Sequence, residues 1–219
     1  MSTRTAVIWS GLAGLAAAII VGTGEFLLHF DELARYGSGF DFFKGVNEER
    51  ATTGHFIGVL GVPLYILGAW HFFMMLRPAS ELWARVGFFA MAYGLIVGGV
   101  WIGSRATAAY IVNTATGDAA VGQLALYELR YENLLTVVRI AALVFSVILI
   151  VLCLSGQTYY PKWIAILNPI VLIIGSFLVY FLAPSVGKFM MPIALNIAYF
   201  ILFSVSTVIA VRSFHGEQP

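Results

Sequence analysis

The chain has 219 residues, of which 60% are hydrophobic and only 11% charged, with a mean hydropathy of +0.91. Water-soluble domains carry about a quarter charged residues, so this composition excludes an ordinary soluble globule. The 12 Lys and Arg against 11 Asp and Glu leave a net charge of +1, which supplies no basic stripe for a polyanion; nucleic acid is excluded as a partner.

Apolar runs long enough to cross about 30 Å of hydrocarbon predict six membrane spans, at about 6–28, 54–76, 86–112, 133–154, 163–183 and 190–211. The expected fold is all-α, a single polytopic membrane domain over 1–219 built as a six-transmembrane-helix bundle. The first run follows Arg4 and passes Ala18 without a polar cleavage region, so it reads as a membrane helix rather than a cleaved signal. Connections 29–53 and 113–132 are long and polar, whereas 77–85, 155–162 and 184–189 are short. Arg77-Pro78, Tyr160-Pro161 and Ala183-Pro184 mark helix stops, because the residue before proline is pushed out of the α region. Pro63, Pro169 and Pro192 fall within or near the start of apolar runs, where a kink is expected.

An even span number puts both termini on one side. Lys and Arg outside the spans divide evenly, with Arg4, Arg77, Arg85, Lys162 and Arg212 on the terminal side and Arg35, Lys44, Arg50, Arg130 and Lys188 on the other. The termini are assigned to the cytoplasm because their side carries few acids, Glu81 and Glu217. Of 23 charges, 16 lie on or near the long-loop side.

Ionisable groups in or beside a span are the best pointers to function, since each is costly there unless paired or hydrated. Glu25 and His29 lie four residues apart near the end of the first span, and His55 opens the second at the same level. Gly94, Gly98, Trp101 and Arg105 form a stripe on the third span; Glu128, Glu132 and Arg139 repeat the spacing into the fourth, with Asn133 and Thr136 beside them. Asn196 reaches the same surface from the sixth. These groups predict a polar vestibule with Glu25 or Glu132 as proton donor or base, His55 as relay, Arg105 and Arg139 as an anion clamp, and Glu128, Asn133 and Asn196 as further substrate contacts. The plainer reading is that the arginines snorkel to the interface and the ion pairs pin helices together.

No metal site is expected; if one existed, Glu25, His29 and His55 would be its ligands. His71 is about 24 Å along its helix from His55, on the opposite face, and His215 is in the tail. The lone Cys153 lies in an apolar run and excludes an internal disulfide. Gly54 and Gly58, Gly94 and Gly98, and Gly99 and Gly103 are pairs that let helices approach closely. The Asp31–Arg50 loop, with Phe40, Phe42 and Phe43 among charges, reads as an amphipathic interfacial stretch, as a lid over the vestibule, or as a surface loop anchored by aromatics.

Four stretches carry a family likeness: Gly22-Thr-Gly-Glu25-Phe-Leu-Leu, Gly54-His-Phe-Ile-Gly58-Val-Leu-Gly-Val-Pro63-Leu-Tyr-Ile-Leu-Gly68, Leu167-Asn168-Pro169 and Asn196-Ile-Ala-Tyr-Phe-Ile-Leu-Phe. They resemble a bacterial family of six-helix integral membrane proteins of unknown function, over nearly the whole chain. In that family the acid of the first span is more often Asp, and the stretch before the last Asn is Gly-rich where this chain has Pro192-Ile-Ala-Leu. The resemblance implies six spans and directs attention to Glu25, Asn168 and Asn196; it supplies no activity and no cofactor.

The function expected from these residues is a membrane-embedded enzyme acting on a lipophilic small molecule by acid–base chemistry, among membrane lipids. The rivals are a proton-coupled transporter and a structural subunit of a larger membrane complex or homo-oligomer.

Overall fold

The structure is a computed structural model that describes residues 2–37 and 39–214; His215 and Glu217 lie outside them. Every regular element among the described residues is helical. Helix α1 spans Thr3–His29, with the Ser2 hydroxyl accepting from the Thr5 amide at 3.3 Å. Helix α2 spans Glu48–Leu76, starting six residues earlier than the apolar run, because Asn47 caps it by accepting from the Arg50 amide at 2.8 Å and Glu48 and Glu49 suit the positive helix end. Helix α3 spans Glu81–Thr114 behind a Ser80 cap.

The connection expected at 113–132 is largely helical. Helix α4 spans Gly117–Tyr127, a π-helical turn covers Glu128–Glu132, and α5 follows at Asn133–Ser155, ended by Gly156 at φ 75°. The region expected to be the fifth span is broken. Lys162–Leu167 is 3₁₀, Asn168 then caps a fresh helix by accepting from the Val171 amide at 3.1 Å, and Pro169 occupies its first position, where a missing N–H costs nothing. The resulting α6, Pro169–Leu182, has 14 residues, about 21 Å of helix. Helix α7 spans Pro184–Met190, Pro192 sits in a 3₁₀ turn, and α8 spans Ala194–Ser213.

Among the described residues five helices are therefore long and apolar enough to cross a membrane: α1, α2, α3, the continuous Gly117–Ser155 helix, and Pro184–Ser213. The apolar α6 is shorter than that length, so the count by length is five rather than the expected six.

Helix α1 packs on α2 and α8, α2 on α3, and α3 on α5, while α6 leans on α8 more than on α5. The closest approach is at glycines. A Cβ on Gly24 would meet the Gly58 Cα at 2.5 Å and the Gly54 carbonyl at 2.7 Å, and one on Gly68 would meet the Gly14 Cα at 2.7 Å. Helices α1 and α2 thus touch backbone to backbone, which packs tightly in lipid, where no hydrophobic force drives helices together. Inside lie Tyr65, Phe72, Phe145 and Phe203; outside, Trp9, Leu60, Phe89, Val147 and Phe181 present apolar surface, as a bilayer-facing exterior requires.

At the terminal end, a polar clasp joins α1, α2 and α8. His71, 0% exposed, places Nδ1 2.8 Å from the Val7 carbonyl and Nε2 2.6 Å from the Ser206 hydroxyl, which lies 2.5 Å from the Tyr160 hydroxyl. A carbonyl only accepts, so Nδ1 carries the proton; with the ring neutral, Ser206 donates to Nε2 and Tyr160 donates to Ser206.

Candidate functional site

Two polar groupings occupy the long-loop half. The first is centred on Arg105, which α3 buries to 3% exposure. Its Nε donates to His29 Nε2 at 2.9 Å, and its Nη1 donates to Glu132 and, at 3.4 Å, to the Tyr127 hydroxyl. Tyr127 also bonds Ser104 at 2.8 Å. The π turn supplies the reason Glu132 arrives here: the extra residue in that turn re-aims the chain between α4 and α5. The guanidinium sits in an aromatic cage, 4.5 Å from the Trp101 ring centroid, 4.9 Å from Phe43, and 5.7 to 5.9 Å from Phe42, Phe40 and Tyr127. Cation–π attraction is strongest for such desolvated cations.

Three of those rings come from the 30–47 segment. Its aromatics turn inward over Arg105, as a lid does. The lid is tied down on several sides. Asn113 Nδ2 donates to the Phe43 and Val46 carbonyls at 3.0 and 3.1 Å. Arg50 bonds the Gly45, Phe26 and Phe30 carbonyls, closing the free end of α1. The Tyr36 hydroxyl donates to the Lys188 carbonyl at 3.1 Å. Asp31 accepts two hydrogen bonds of 2.7 Å from the Arg35 guanidinium, which hold its carboxyl down at about 2.

The second grouping surrounds Glu25, 9% exposed. Tyr65 donates its hydroxyl to Asn196 Oδ1 at 2.6 Å, and Asn196 Nδ2 donates to Glu25 Oε2. Among the described residues no protein group donates to Oε1. Glu25, Tyr65 and Asn196 line a cavity of about 40 Å³ with Trp101, Leu135, Val138 and Tyr199. That is room for a few waters. The Trp101 Nε1 is buried without a hydrogen-bond partner, so the wall between the two groupings carries an unused donor.

The structure thus brings together Glu25 and Asn196 in one place, and Arg105, Glu132 and His29 in another beside it. The other expected site residues lie elsewhere. His55 is half-buried against α3 at Gly103, with Nδ1 unpartnered and no bond to either carboxylate. Glu128, Asn133 and Arg139 are exposed, and Asn133 bonds only its own helix, at the Leu129 carbonyl. The two arginines therefore do not form one clamp. Asn168 caps α6 and donates to the Ala165 carbonyl at 2.9 Å, a structural duty. Among the described residues no three of His, Cys, Asp and Glu are placed to share a metal ion, and His29 spends its Nε2 lone pair on Arg105.

Sequence reasoning passed over Tyr65 and Tyr127. A tyrosine deep in an apolar run needs a partner for its hydroxyl, and that signal was available at Tyr65, ten residues after His55.

No curated protein and no solved structure matches the chain. A family model described only as a family of unknown function (DUF6796) matches residues 7–213, which include the lid, the Arg105 cage and the Glu25 chamber, and the chain belongs to that family.

Proposed function

We propose that this protein is a membrane-embedded enzyme that acts on a lipophilic substrate by acid–base chemistry, with Glu25 as the group that gives or takes the proton. The observation carrying this reading is the division of labour between the two Glu25 oxygens: Oε2 is held by Asn196, itself held by Tyr65, while Oε1 has no protein donor and the carboxyl lines a cavity. A carboxyl oriented by one oxygen and open at the other is what proton transfer to a bound molecule needs. Glu132 is spent on Arg105, so it is the weaker candidate. Arg105, buried under the aromatics of the 30–47 segment, belongs to the grouping next to Glu25, and Trp101 borders both. The same reading places the chain in a bacterial inner membrane with cytoplasmic termini, and counts α6 with its 3₁₀ lead as a sixth crossing.

The test is lipid analysis of the purified protein in nanodiscs made from total bacterial lipid, before and after incubation. The expected result is conversion of one lipophilic species by wild type and none by Glu25→Gln. Conversion that survives Glu25→Gln overturns the mechanism.

The rival, a proton-coupled carrier, draws support from the second polar clasp at His71, Ser206 and Tyr160, which gives the same helices polar groups in both halves. It predicts substrate flux in proteoliposomes that collapses with the proton gradient.

A further inference from the structure

Helices α5 and α8 both line the Glu25 cavity, through Leu135 and Val138 on one side and Leu195, Asn196 and Tyr199 on the other, yet they scarcely touch. The cavity therefore lies in a cleft between them. Lower down that cleft is closed, where Ser146 of α5 accepts from the Ile170 amide at the start of α6, at 3.4 Å. Helix α6 packs more on α8 than on α5, and on α5 above Ser146 the side chains of Arg139 and Leu143 are exposed.

Arg139 stands at this opening. It is four residues after Leu135, hence on the same side of α5, and seven before Ser146, two turns from the closed end. It is exposed, and among the described residues it has no hydrogen bond, ion pair or ring contact. It lies about 10 Å along the helix from Glu132, inside the apolar zone, with exposed Ile140, Leu143 and Val144 around it. An unpaired guanidinium facing hydrocarbon is unfavourable, and intramembrane cations are retained where they meet an anion. Among the described residues Arg139 meets no carboxylate: Glu132 is held by Arg105, and Glu25 is oriented by Asn196 with its open oxygen inside the cavity. The α1/α8 groove, lined by Ile19, Gly22, Phe26, Ile197 and Phe200, has no charged group, and Asn196 walls it off from the cavity.

We infer that the cleft between α5 and α8 is a lateral port from the bilayer, and that it takes an amphiphile with a single anionic head, a carboxylate or a phosphate, whose head pairs with Arg139 while the molecule reaches towards Glu25. This rests on the acid–base reading of Glu25 and names the substrate class of that site. The guanidinium fork matches the two oxygens of such a head, and the flanking aliphatic residues match its chain.

The probe is brominated stearate, compared with its methyl ester, added at alkaline pH to the protein in phosphatidylcholine nanodiscs. Bromine quenches indole, and the signal read is the part of the quenching lost in Trp101→Phe. Saturable quenching by the acid, about tenfold or more weaker for the ester, is expected, and Arg139→Gln should weaken the acid by a similar factor while leaving the ester unchanged. Arg139→Lys should recover part of the loss. Equal quenching by acid and ester in wild type, a comparison that needs no variant, overturns the inference, as does an Arg139→Gln protein that binds the acid normally. Full displacement by inorganic phosphate also overturns it, since the site would then take a free anion. Binding that persists in Glu25→Gln, in a protein that converts no lipid, would sink the enzyme reading and leave the port intact. Conversion by a protein whose acid binding ignores Arg139 would do the reverse.

Discussion

Helices α2 and α8 are tied together twice by nearly the same chemistry. Near the terminal end, His71, Ser206 and Tyr160 form a fully buried relay ending on the Val7 carbonyl. In the other half, Tyr65, Asn196 and Glu25 form a relay that ends on a carboxyl beside a cavity. The first has each of its ring and hydroxyl groups bonded to protein, and its work is to hold helices where water is absent. Among the described residues the second leaves one carboxyl oxygen without a protein donor and the neighbouring Trp101 indole without an acceptor, both beside the cavity, whereas beside the first only the Thr207 hydroxyl is unpartnered. Under the proposed function, that incompleteness next to space is what assigns the work to the second grouping and the holding of helices to the first.

This contrast yields tests in which stability and activity move apart. Glu25→Gln should lower turnover of the identified lipid by about 10²- to 10⁴-fold with little change in thermal midpoint, because the amide is isosteric. A midpoint that falls with turnover would make Glu25 a structural clasp like His71. Arg105→Ala should cost about 3–5 kcal/mol of stability by denaturant titration, because it leaves Glu132 and His29 without their buried partner. Arg105→Lys should rescue little of that, since one ammonium cannot hold both groups in the same geometry. His71→Phe should cost about 1–3 kcal/mol, because the buried Ser206 O–H loses its acceptor while the Val7 carbonyl keeps only the Ser10 hydroxyl as side-chain donor, and turnover per folded molecule should stay within twofold.

The smallest effect concerns the lid. The Asp31 carboxyl is held at about 2 against an ordinary 3.8, so its contribution is full above the ordinary value and fades as pH falls through about 2. Pepsin cleavage at Phe40 to Phe43 should therefore rise between about pH 4 and 2 in wild type. Asp31→Asn should already be cleaved at the upper end of that window. Equal cleavage of the two proteins across it would remove Asp31 as the lid's anchor.

Much of the architecture was legible in the chain. Hydrophobic length placed α1, α2, α3 and α5, and the glycine pairs at Gly54 and Gly58 met α1 where small residues were expected to admit a neighbour. Length misjudged the fifth run, because an apolar average does not register that Asn168 and Pro169 restart the helix. It also took 113–132 for a loop, although polar residues form helix readily when a buried tyrosine, here Tyr127, anchors them. Within the site, spacing along single helices found Glu25, His29, Arg105 and Glu132 but grouped them with His55, Glu128 and Asn133, which take no part in either grouping, and paired Arg105 with Arg139, which stands apart from it.

What the sequence determined by itself is the solvent: so few charges and such long apolar runs have no stable arrangement except as helices in a bilayer, since only there is that surface not exposed to water. It also determined the half in which the charges collect. Which charges pair was left to the tertiary structure. The rotation of each helix about its axis decides whether an arginine meets a carboxylate or a lipid, and that rotation is set by packing among several helices at once. Arg105 and Arg139 look alike in the sequence; one faces Glu132 and His29 under a lid, and the other stands alone at an open cleft.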